Sequence, residues 1–118
     1  MASVCPVVCI FGSDCSLLRS HSAFLSSLGL CVFKVHTLCE ALDLLDILGD
    51  TRCDLVLICH SIRESEREIY MAYLFMNYPW IKFATLTPDD DRCSEHLLAK
   101  VKEVLGIDRP DHDHLLFQ

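Results

Sequence analysis

The sequence predicts an α/β fold: a doubly wound, all-parallel sheet of about four strands in the order 2-1-3-4, with helices on both faces. Three observations predict it. Short, continuously apolar runs recur along the chain, as in strands buried on both faces. Segments with apolar residues at helical spacing separate those runs. Gly, Ser, Thr, Asp and Pro stand at the junctions, where they cap and stop helices.

The first strand is residues 7–11, closed by Gly12 and Ser13. Ser13 or Asp14 caps the helix that follows, whose apolar positions Leu17, Leu18, Phe24, Leu25 and Leu28 share one side before Gly29 stops it. Residues 31–35 form a short second strand. Thr37 and Glu40 match a capping box ahead of a helix over 41–48, which Gly49 ends. Residues 55–59 form a third buried strand ending in Cys59. Ser61 and Glu64 make a second capping box, opening a helix that runs to about Asn77 before Pro79. Residues 81–86 form the fourth strand and Asp89, Asp90 and Asp91 a loop. Ser94 caps a last helix bearing Leu97, Leu98, Val101, Val104 and Leu105, with Gly106 after it. This divides the chain into a domain over 1–106 and a polar tail over 107–118.

Composition narrows the function classes. The 118 residues suit one domain, and 52% of them are hydrophobic, enough for one core. A net charge of −7 lacks the basic footprint of nucleic-acid binding. No apolar run spans a bilayer, and the N-terminus lacks the basic region of a signal peptide, so the expected location is cytoplasmic. The eight cysteines contain no C-x-x-C pair, and several sit in apolar runs, as reduced and mostly buried thiols do.

In such a sheet, ligands bind beyond the carboxyl ends of the strands, where the strand order reverses. That rule brings Gly12, Ser13, Asp14, Cys59, His60 and Thr87 to one mouth. The stretches 10–14, 17–19, 54–59 and 85–87, over a span of about 4–106, resemble the receiver domain of bacterial response regulators. The resemblance implies a flavodoxin-like fold. It also implies an acidic pair ending the first strand, a phosphoacceptor aspartate ending the third, a hydroxyl ending the fourth and a lysine ending a fifth. Here Gly12 and Ser13 fall on the acidic pair, Cys59 on the phosphoacceptor, and Thr87 on the hydroxyl. The fifth strand and its lysine have no counterpart. Phosphoryl transfer needs Mg²⁺ on hard oxygen ligands, and a thiolate is a poor substitute. The resemblance therefore implies a degenerate phosphoacceptor pocket (Gly12, Ser13, Asp14, Cys59 and Thr87) with no catalytic residues, metal or cofactor.

Cys59 admits two readings. A thiol at a helix N-terminus, with Arg63 near in sequence, would favour the thiolate of a redox sensor or cysteine enzyme. An inert thiol filling the vacated pocket is the preferred reading, because the C-x₅-R spacing of cysteine phosphatases is missing: position 65 is Ser65. His60, and the tail's His112 and His114, are read as hydrogen-bonded or solvated.

The third helix carries two apolar stripes where a surface helix has one. Ile62, Ile69, Tyr73 and Met76 form the stripe expected against the sheet. Met71, Leu74, Phe75 and Tyr78 form the other, expected to contact a protein partner or a second copy. Without a fifth strand, the fourth becomes an open edge that Lys82, the tail or another chain must guard. The expectation is a non-enzymatic, stand-alone receiver-like module of two-component or phosphorelay signalling, acting by protein contact.

Overall fold

A computed structural model describes residues 6–48 and 53–105; the tail over 107–118 lies outside them. The elements are β1 (Val7–Phe11), α1 (Cys15–Ser27), β2 (Cys31–Val35), α2 (Leu38–Leu48), β3 (Leu55–Ile58), α3 (Glu64–Asn77), β4 (Lys82–Thr85), α4 (Pro88–Arg92) and α5 (Ser94–Leu105). The four strands form one parallel sheet in the order β2-β1-β3-β4. The α/β class and the strand order are those the sequence predicts.

The apolar runs become strands because they are buried on both faces. Every residue of β1 and β3 is buried. Alternation divides them between two cores. Cys9, Phe11, Val56 and Ile58 meet Ala41 and Leu45 of α2 and Tyr70 and Leu74 of α3. Val8, Ile10, Leu55, Leu57 and Cys59 meet Leu18 and Leu25 of α1 and Leu97 and Val101 of α5. Cys59 thus belongs to the core on the α1/α5 side.

The helix signals are met unevenly. Asp14 caps α1, its Oδ1 accepting from Leu17 N–H at 3.1 Å. Gly29 follows at φ 95°, a backbone region that suits glycine. Thr37 Oγ1 accepts from Glu40 N–H at 3.1 Å, and the Glu40 carboxylate accepts from His36 N–H at 2.8 Å, so α2 starts at Leu38, three residues earlier than expected. The Ser61 box does not form: Arg63 holds the cap position of α3 without a side-chain bond. Ser94 is the first residue of α5 and not its cap. The expected loop at Asp89–Asp91 is instead the short helix α4. Thr87 and Asp90 form a capping box there, and Pro88 stands in the first turn, where a missing N–H costs nothing.

Cys59 and Leu86 lie one residue past β3 and β4 but still make ladder bonds, Cys59 N–H to Phe11 O at 2.8 Å and Leu86 N–H to Ile58 O at 2.7 Å. No fifth strand is present among the described residues, so β4 is an edge.

Candidate functional site

The mouth is built by the ends of β1 and β3. Gly12 follows Phe11, and its N–H donates to Val35 O at 3.1 Å, holding the turn against β2. Cys59 is 1% exposed and packs directly on Gly12. A Cβ at position 12 would lie 2.8 Å from Cys59 Sγ, 3.1 Å from Cys59 Cβ and 3.3 Å from Leu18 Cδ2. The first of these distances is closer than real side chains approach, so any larger residue at position 12 must displace the thiol. The two positions interlock, with Leu18 beside them.

The other predicted residues hold the loops around this plug. Ser13 N–H donates to Ser61 Oγ at 3.2 Å, and Ser13 Oγ donates to Ser61 O at 3.2 Å. This clasp joins the β1–α1 and β3–α3 loops, and it was not anticipated from the sequence, which assigned Ser61 to a cap. Asp14 is spent on the α1 cap. Cys59 precedes α3 by the turn over 60–63, in which Ile62 N–H donates to Cys59 O at 3.1 Å. Among the described residues no group of three or more His, Cys, Asp or Glu side chains is placed to hold a metal.

Thr87 stands at the end of β4, engaged with Asp90. Its N–H and Oγ1 donate to Asp90 Oδ2 at 2.8 and 3.1 Å, and its Oγ1 accepts from Asp90 N–H at 3.3 Å. Lys100 of α5 closes on the same carboxylate oxygen at 2.8 Å. Burial raises the Asp90 carboxyl, but the bonds from Lys100 and Thr87 outweigh it and hold the group below the usual carboxylate range.

Two further polar clusters went unread in the sequence. Under α3, Tyr70 Oη lies 4.0 Å from Cys9 Sγ, and Cys53 Sγ donates to Leu55 O at 3.6 Å. Burial pushes the Cys9 thiol up to about 12 and the Cys53 thiol up to about 11, so both stay protonated. On the surface, Tyr73 and Tyr78 both donate to Asp46 Oδ1, at 2.7 and 3.1 Å, and tie α3 to α2.

The α3 stripes are corrected by Tyr70, which neither stripe included. Tyr70 is fully buried, its ring edge-on to Phe11 at 5.1 Å between centroids. Residues four apart share a helix face, so Leu74 goes inward with it and is 1% exposed. Of the expected contact stripe, Leu74 is core, Met71 and Tyr78 are partly buried against that core, and only Phe75 is well exposed, at 73%. Ile69 and Met76, expected against the sheet, face outward instead.

No family model matches the chain, and no curated protein matches it. Solved structures do. A response regulator from Thermotoga maritima superposes with a TM-score of 0.72 at 16% identity, over 87% of this chain and 99% of the other. A response regulator receiver protein from Burkholderia phymatum gives 0.65 at 21%, over 89% and 98%. The fold is that of a response regulator receiver domain. An uncharacterized protein from Neptuniibacter caesariensis also superposes, with a TM-score of 0.68 at 17% identity, over 86% of this chain and 88% of the other. At these identities the likeness is one of architecture, which the four-strand sheet and its helices satisfy. Among the described residues no helix is long and apolar enough to cross a membrane.

Proposed function

We propose that this chain is a pseudo-receiver: a cytoplasmic, non-enzymatic module of bacterial two-component or phosphorelay-type signalling that acts by protein contact, without aspartyl phosphorylation. The observation that carries this reading is the Gly12–Cys59 interlock. Receiver chemistry requires carboxylates around a bound Mg²⁺ at the ends of β1 and β3. At those positions this chain has a residue without a side chain and a buried thiol packed against it. The engagement of the Thr87 hydroxyl with Asp90 supports the same reading, because a hydroxyl held in a capping box is not available to a phosphoryl group.

Contact with a partner, or with a second copy, falls to the outer surface. Ile69, Phe75 and Met76 of α3 are 53%, 73% and 77% exposed, more than solvation of a lone apolar residue requires. Incubation with a small acyl phosphate and Mg²⁺, followed by intact-mass measurement, tests the chemical half. An unchanged mass is expected, and a hydroxylamine-labile phosphoryl adduct on an aspartate overturns it. Sedimentation over a range of concentrations, with wild type and Phe75→Ser, tests contact between copies.

A further inference from the structure

The edge of β4 is guarded by a device that the sequence did not reveal. Leu86 N–H bonds to Ile58 O, so Leu86 turns its backbone toward β3. Backbone groups alternate sides along a strand, so Phe83 and Thr85 present theirs to the open side. A fifth strand would donate an amide to the Thr85 carbonyl. Instead, Lys100 Nζ of α5 donates to Thr85 O at 3.1 Å. The same Nζ lies 2.8 Å from Asp90 Oδ2, with the two side chains only 26% and 8% exposed. Asp90 in turn accepts from the Thr87 N–H and hydroxyl. One unbroken set of bonds therefore runs from the β4 edge through α5 to α4.

We propose that Lys100 stands in for a neighbouring strand that β4 lacks among the described residues: it supplies the edge hydrogen bond, and its pair with Asp90 latches α4 and the Thr87 hydroxyl against the end of β4. Lys82, the edge lysine legible in the sequence, is exposed, and no bond from it to this latch is seen. The inference does not depend on the signalling reading.

Hydrogen–deuterium exchange over residues 82–92 tests it, with α1 and β1 as internal references for the intact fold. Lys100→Met keeps the stem and removes the charge, and it should speed exchange of the segment at least about tenfold, because it strands a buried carboxylate. Asp90→Asn/Lys100→Met strands no charge and should still exchange faster than wild type, since the Thr85 carbonyl loses its donor. Lys82→Met should stay within about twofold of wild type, as an exposed lysine does. Wild-type protection in Lys100→Met or in the double variant overturns the proposal. So does a Lys82→Met effect as large as that of Lys100→Met.

Discussion

The centre of the sheet and its β4 margin solve opposite problems. At the centre, β1 and β3 are buried along their whole length, and Cys59 packs against Gly12 at their ends. At the margin, three of the four residues of β4 are exposed, Phe83 is 39% exposed, and one lysine amine occupies a strand's bonding position. The centre is held by apolar packing on both faces of the sheet, and the margin by polar side chains.

The sharpest test of that division lies within α3, where sealed and open positions are neighbours. Leu74→Ala should cost about 2–5 kcal/mol, because a buried leucine leaves a cavity. Phe75→Ala should change stability by no more than about 0.5 kcal/mol. Denaturant unfolding of the two variants checks this, and equal costs would mean that the helix is rotated from the orientation described. Next in size is the plug. Gly12→Ala should cost about 1–3 kcal/mol by overpacking, and less in a Cys59→Ala background, where the Sγ contact is gone. Additive costs in that cycle would break the interlock.

Thiol chemistry sharpens the same contrast. Cys15, Cys31 and Cys39 are exposed, whereas Cys9, Cys53 and Cys59 are buried. An aromatic disulfide reagent should label the first three rapidly and the last three only at the rate of unfolding. Rapid labelling of Cys59 in the folded protein would favour the redox reading. Burial pushes the Cys9 and Cys53 thiols above the ordinary thiol range, to about 12 and about 11. The unfolded chain therefore releases their protons first as pH rises, and stability should fall from about pH 8.5 upward. Cys9→Ala should flatten that alkaline limb.

What was legible in the sequence follows from the same physics. The central strands declare themselves because two-sided burial demands unbroken apolar runs, and their alternation with helices implies a parallel sheet. The cap at Asp14 and the box at Thr37–Glu40 are local, and local signals survive into the structure. The α3 faces were misassigned because apolar residues circle the helix from Ile69 to Met76, and only the neighbour decides which face is inward. Tyr70 carries that decision through its contact with Phe11, far away in sequence. The helix α4 was readable: Thr87, Pro88 and Asp90 form a capping box with Asp in place of Glu. The Ser13–Ser61 clasp and the Lys100 bond to Thr85 leave no local trace, because each joins segments that meet only in the folded chain. Of the predicted pocket, Gly12 and Cys59 are brought into contact, while Asp14 and Thr87 are drawn off to cap helices.

A modest expected effect probes the end of β4 at the sheet margin. Thr87→Ala removes the α4 cap and should cost about 1 kcal/mol at neutral pH. Part of that cost must depend on pH, because the Thr87 bonds help to hold the Asp90 carboxyl below its ordinary range. For a carboxyl depressed by folding, the stabilisation is fully present above the unfolded value of about 4 and disappears as pH falls through the lower folded value. The gap between wild type and Thr87→Ala should therefore narrow in acid, and Thr87→Ser, which keeps the hydroxyl, should track wild type throughout. Thermal unfolding from pH 7 down to pH 3 measures the gap. A pH-independent gap would reduce Thr87 to a simple cap, detached from the charged pair that closes the sheet edge.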